Sequence, residues 1–158
     1  MIFAVKQLIS FILPLIVLIL VPLALEPEFL VASLPALITG LLVMLAGLTV
    51  IALTIFRFII IGKGTLAPWF PTGKLVVTGL YKYVRNPMII GVLIVLLGES
   101  IAVLSIKILI WMLLFFLINH LFFLLYEEPN LEKRFGDEYR SYKKRVPRWI
   151  PGKLKTER

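Results

Sequence analysis

The sequence predicts an all-α integral membrane bundle of about four transmembrane helices, completed by a C-terminal amphipathic helical tail on the cytosolic face. Three observations lead there. Of the 158 residues, 60% are hydrophobic, and the mean hydropathy is +1.00, far above an ordinary soluble domain. The apolar residues gather in long, almost uncharged runs of membrane-crossing length. The net charge of +8 is localised, with the bases mostly between Lys63 and Arg85 and after Lys133. Such a length suits one membrane domain over 1–158, with two spans in 1–61 and a core of helical hairpin plus tail in 62–151.

The first span is expected from about Leu8 to Leu25, preceded by Lys6 and kinked by Pro14 and Pro22. It lacks a small-residue cleavage site and a second long span follows, so it reads as a span rather than a cleavable signal. The turn Glu26-Pro27-Glu28 is acidic and holds no base. The second span is expected from about Leu34 to Ile61, with Pro35 suited to a first helical turn. Gly40 and Gly47, with Ala36, offer a small-residue face for close packing. Arg57 near its end is expected to snorkel toward headgroups.

Between Gly62 and Val84 the prolines and glycines rule out a continuous helix, and Trp69 and Phe70 suit an interfacial anchor. Gly-Lys-Gly-Thr at 62–65 lacks the spacing of a phosphate loop. The third span runs from about Pro87 to Leu104, with Glu99-Ser100 roughly 18 Å along it at helical rise. A short break at Ser105 to Lys107 leads to a fourth span from about Ile108 to Tyr126. So short a connection predicts an antiparallel hairpin, which returns Arg85 and Glu127 to one membrane side. In the tail, Leu131, Phe135, Tyr139 and Tyr142 form a helical stripe, Gly136 can end one helix while Asp137 caps the next, and Val146-Pro-Arg-Trp-Ile-Pro151 reads as extended. The tail is expected to lie on the membrane surface over the site. The positive-inside rule then sets both termini on the cytoplasmic side.

Composition also excludes. Without cysteine there is no disulfide, thiolate catalysis or Cys-ligated metal, and one histidine leaves no metal-ligand spacing. Bases beside spans reflect topology and anionic lipid, not nucleic acid, for which no reading module is present.

The polar residues that stand out sit where apolar runs end. Arg85-Asn86 precedes Pro87, and Glu127-Glu128 closes the fourth run. His120, Leu124 and Glu127 share a helix face; the alternative for His120 is a bond to Asn119 or Glu99. Two carboxylates at a helix C-terminus oppose its dipole, a mild frustration that suggests use. The plainer reading pairs them with Arg85, Lys133 or Arg134.

The ordered set Tyr-Lys-Tyr-Val-Arg-Asn-Pro…Gly, a hydrophobic hairpin, Glu-Glu-x-x-Leu, Phe-Gly-x-x-Tyr-x-x-Tyr and Val-Pro-Arg…Pro resembles the isoprenylcysteine carboxyl methyltransferase and phospholipid methyltransferase superfamily. The resemblance spans Gly64 to Pro151. It implies S-adenosylmethionine as cofactor, near the cytosolic face of a small helical bundle. Arg85, Pro87, Gly91, Glu127 and Glu128 match its signature, and His120 matches a histidine often found before the acidic pair. With Tyr83 and Asn86 these are the expected cofactor contacts, Arg85 and Glu128 being expected nearest the reacting centre. Asn86 stands where the family commonly has histidine, and Ile89 where it commonly has tyrosine. The implied substrate is a lipophilic or prenylated carboxyl compound, with a phospholipid amine as the alternative. Membrane lipid is the expected partner, no metal is required, and the oligomeric state is open. A nicotinamide-dependent membrane reductase and a non-catalytic scaffold are the rival classes.

Overall fold

The computed structural model describes residues 12–62 and 74–151. The expected start of the first span, Lys63, Gly64 and Thr65, and the Trp69-Phe70 anchor lie outside those residues. Among the described residues all regular structure is helical. We number the helices α1 (Ile12–Leu25), α2 (Leu34–Gly62), α3 (Pro87–Val103), α4 (Ile106–Phe122) and α5 (Glu128–Arg145), with a 3-10 turn at Gly79–Lys82. Two continuous helices, α2 and the one containing α4, are long and apolar enough to cross a membrane; α1 and α3 are shorter apolar helices. The exposed surface of α2 carries Leu41, Leu42, Leu45, Leu48 and Phe56, a face that suits lipid rather than water.

α3 is the central helix, burying Val92, Val95, Leu96 and Ala102. Its contact with α2 is the most intimate in the fold because both helices place glycines there. A Cβ on Gly47 would come 2.8 Å from the Gly91 carbonyl oxygen, and one on Gly40 would come 2.6 Å from that of Gly98. The two pairs are seven residues apart on each antiparallel helix, so the backbones touch along a seam. Dispersion between close backbones replaces the hydrophobic drive that lipid does not supply. The small face expected of Gly40 and Gly47 therefore has its counterpart in Gly91 and Gly98.

Both prolines that follow long apolar stretches are preceded by a wide helical turn. π-turns span Ile16–Leu20, before Pro22, and Phe123–Glu127, before Pro129. A proline ring excludes the usual i−4 carbonyl, and widening the helix by one residue relieves that clash. In the first π-turn the N–H of Val21 bonds the Ile16 carbonyl, so in the same register Val17 would look to residue 22, which has no N–H. The Trp111 indole of α4 donates to the Val17 oxygen instead, at 3.1 Å. An orphaned carbonyl is thus satisfied from a neighbouring helix.

The α3–α4 connection is tighter than expected. Leu104 takes a left-handed conformation (φ 52°) and Ser105 caps α4 by accepting from the Ile108 N–H. Lys107 is therefore helical, not part of the break. The Ser105 hydroxyl donates to Glu26 Oε1 at 2.7 Å, and Lys107 Nζ reaches Glu26 and the Leu25 carbonyl. These bonds tie the hairpin turn to the end of α1, the end opposite Arg85.

At the other end the helix does not stop at the acidic pair. It runs from α4 through the π-turn into α5, so Glu128 lies inside a continuous helix rather than at a C-terminus. The frustration expected from the helix dipole is absent for that reason. The tail does bend where expected: Gly136 has φ 52° and ψ −126°, inside an otherwise helical run. Tyr139, Tyr142 and Val146 bury themselves against Leu75, Val77, Leu131 and Phe135.

Candidate functional site

The hairpin brings Arg85 and Glu128 together. Arg85 ends the segment that leads into α3, and Pro87 fixes the backbone for the first turn. The Arg85 backbone N–H donates to the Pro147 carbonyl at 2.9 Å, and the side chain reaches the tail. Its guanidinium Nη1 stands 2.8 Å from Glu128 Oε1, with side chains only 10% and 4% exposed. Arg148 Nε donates to the same oxygen at 2.6 Å. Lys143 Nζ lies 3.3 Å from Oε2 as an ion contact, outside hydrogen-bond geometry for that oxygen. One buried carboxylate is thus ringed by three cations.

Electrostatics follow from this packing. Burial alone would raise the Glu128 carboxyl, but the Arg148 hydrogen bond and the charges of Arg85 and Arg148 hold it below the ordinary carboxylate range. Its neighbour goes the other way: burial pushes Glu127 up, only partly opposed by the Arg134 charge. The Tyr139 phenol accepts from Arg85 Nη1 at 3.4 Å, and burial, then the Glu128 charge, push it up to about 12. It stays protonated at neutral pH.

Four buried side-chain atoms at this end have no hydrogen-bond partner: Arg85 Nε, Asn86 Nδ2, Glu128 Oε2 and Thr78 Oγ1. Buried polar atoms are ordinarily paired. Asn86 is informative here. It occupies the N-cap of α3, where asparagine usually bonds its own helix, yet its side chain makes no cap bond. Arg85 Nε and Asn86 Nδ2 thus remain donors without a partner, and Glu128 Oε2 has only its ion contact with Lys143.

The other expected site residues are distributed around this cluster. Pro87 and Gly91 are buried in α3, Gly91 against the Gly47 carbonyl, where it serves helix seating. Tyr83 is half-exposed, outside the buried ion cluster. His120 pairs with neither Asn119 nor Glu99. Asn119 bonds the Phe115 carbonyl, and the His120 Nδ1 accepts from the Trp149 indole at 2.9 Å. Arg57 lies along the Gly79 backbone at this same end.

Three participants escaped sequence reasoning: Lys143, Arg148 and Trp149. Arg148 and Trp149 belong to the strap Val146–Pro151, which crosses the site and bonds Arg85, Glu128 and His120 through three consecutive residues. The available signal was an arginine and a tryptophan confined between two prolines, an arrangement that holds side chains in fixed directions.

The described residues thus form an apolar helical bundle, two of its helices long enough to cross a membrane, with a buried cation–carboxylate cluster at one end. The family model described as phospholipid methyltransferase matches residues 35–138, about two thirds of the chain, and the chain belongs to that family. A segment of 83 residues is 39% identical to the protein-S-isoprenylcysteine O-methyltransferase of Schizosaccharomyces pombe; it covers 49% of this chain and 33% of that enzyme. An uncharacterised protein of Haemophilus influenzae is 43% identical over 54 residues, 34% of this chain and 76% of that protein. The chain thus spans about a third of the named relative's length. No solved structure gives a significant match.

Proposed function

We propose that this chain is a four-span integral membrane enzyme that transfers a methyl group from S-adenosylmethionine to a lipophilic substrate. The acceptor in this reading is a carboxyl group on a prenylated or similarly apolar molecule. The observation that carries it is the set of unpaired atoms around the Arg85–Glu128 pair. They suit a zwitterionic amino-acid end: Glu128 Oε2 accepts from an ammonium, while Arg85 Nε and Asn86 Nδ2 donate to a carboxylate. When bound, the cofactor's sulfonium supplies an electrophilic methyl group.

The chain's own residues bind and orient. Glu128, kept ionised by Arg148 and Arg85, holds one position and charge throughout. Tyr139 and the strap keep water from the buried carboxylate. A carboxylate acceptor is already ionised at neutral pH and needs no base, so alignment is the main requirement. Family membership and the fission-yeast relative support methyl transfer as the reaction class. The apolar outer face of α2 supports delivery of a lipid chain from the bilayer.

The test is incubation of the purified full chain with methyl-labelled S-adenosylmethionine and a membrane lipid extract. Label in a base-labile ester of an apolar product supports the reading, and loss of that label in Glu128→Gln ties it to this site. Label in a phospholipid amine headgroup overturns the carboxyl assignment; no lipid label and no cofactor binding overturns the enzyme.

A further inference from the structure

We propose that Trp149 is a positioning residue that holds neutral His120 in the single tautomer with its proton on Nε2, so that His120 meets its ligand as a hydrogen-bond donor. The inference deepens the proposed function and rests on it for the identity of the ligand, though not for the tautomer. An indole N–H is only ever a donor. The His120 nitrogen that receives it, Nδ1 at 2.9 Å, must therefore present a lone pair. A neutral imidazole with a bare Nδ1 carries its proton on Nε2. That N–H has no partner among the described residues.

The indole itself cannot drift. It meets Phe116 edge-on at 5.2 Å and Phe123 at 6.0 Å between ring centroids. The strap that carries it is held one residue earlier by the Arg148 side chain on Glu128, and two residues earlier by the Pro147 carbonyl, which accepts from the Arg85 N–H. His120 precedes Glu128 by eight residues, about 12 Å along the helix toward the apolar side. From there a lipid-borne head group would approach a site whose charged end lies at Glu128. A donor at that depth recognises an acceptor oxygen, either of the methyl-accepting carboxylate or of the cofactor.

His120 is the sole histidine, so histidine labelled with 15N in the ring reports this side chain alone. The tag-free full chain in lipid nanodiscs is expected to show one tautomer, protonated at Nε2. Trp149→Phe, which keeps ring packing and removes the N–H, is expected to show a mixture with the Nδ1–H form. A wild-type mixture, an Nδ1–H wild type, or a spectrum unchanged in Trp149→Phe would overturn the proposal. In the methylation assay His120→Gln, whose amide N–H sits where Nε2–H does, is expected to retain most activity. His120→Asn and His120→Ala are expected to lose roughly five- to tenfold, the scale of one hydrogen bond. Equal loss in all three overturns the donor role. A rise in KM for the acceptor assigns the oxygen to the substrate; a rise for S-adenosylmethionine assigns it to the cofactor, and either supports the donor. A chain that shows the tautomer and its loss in Trp149→Phe, yet methylates no lipid, supports the Trp149 assignment and overturns only the reaction.

Discussion

Glu128 is the residue on which most of this end of the molecule depends. Three cations point at it, and its side chain is 4% exposed. Glu128→Gln keeps the shape but leaves Arg85 and Arg148 facing each other across a neutral amide. Removing one member of a buried ionic group costs about 3–5 kcal/mol; the partial exposure of Arg148 and Lys143 places the expected loss toward the lower bound. A fall in the melting midpoint of the detergent-solubilised protein checks this. The same carboxyl predicts an acid limb. Its folded pKa lies below the unfolded value near 4.5, so its stabilisation is complete above that value and is lost as pH falls through it toward the folded pKa. Melting midpoints measured on an acid series should drop there in the wild type and drop less in Glu128→Gln. From the sequence the pairing with Arg85 was legible, because a short hairpin forces the two chain ends together. The additional cations were not. Lys143 lies fifteen residues on and Arg148 twenty, and only the bend at Gly136 and the proline-bounded strap direct them back to the carboxylate.

Among the elements, two kinds of glycine make different demands, and substitution separates them. At Gly47 the backbone is ordinary but space is absent, since a Cβ would meet Gly91 oxygen and Val95 nitrogen, both at 2.8 Å. Backbone atoms yield only if α2 and α3 move apart, so Gly47→Ala is expected to cost about 1–3 kcal/mol through overpacking. At Gly136 nothing lies within 4 Å of a built Cβ, but φ 52° with ψ −126° is a conformation L-residues avoid. Gly136→Ala should cost about 1–3 kcal/mol from strain alone. Chemical denaturation of the two variants checks both values. Tryptophan fluorescence adds a second readout, because the Gly136 change acts directly on the segment that carries Trp149, whereas the Gly47 change acts on the core against which Trp111 packs. The period of apolar residues made the helices legible, as did the prolines at their starts. The π-turns before Pro22 and Pro129 were not, because a pattern of side chains does not reveal which carbonyl a proline will orphan or which neighbour, Trp111 for Val17, will satisfy it.

At the scale of the whole molecule the two ends of the bundle are chemically opposite, and that asymmetry predicts an orientation. One end holds Glu26 and Glu28 and, among the described residues, a single nearby base, Lys107, already engaged by Glu26. The other gathers Arg57, Arg85, Lys143 and Arg148, with Lys133, Lys144 and Arg145 exposed on α5. Bases flanking apolar spans stay on the cytoplasmic side, whereas acidic residues have little say. The charged cluster, the strap and the proposed methyl-transfer site should therefore face the cytoplasm. The chain allows a clean measurement, since it contains no cysteine and any introduced thiol is the only one present. Glu28→Cys and Lys144→Cys change exposed residues away from the ion cluster. In intact cells a membrane-impermeant maleimide should label Cys at 28 and reach Cys at 144 only after permeabilisation. The reverse pattern would turn the molecule over and place the Arg85–Glu128 site outside the reach of cytosolic S-adenosylmethionine. Equal labelling of both in intact cells would mean that the three segments between them, α2, α3 and the helix containing α4, do not make an odd number of crossings.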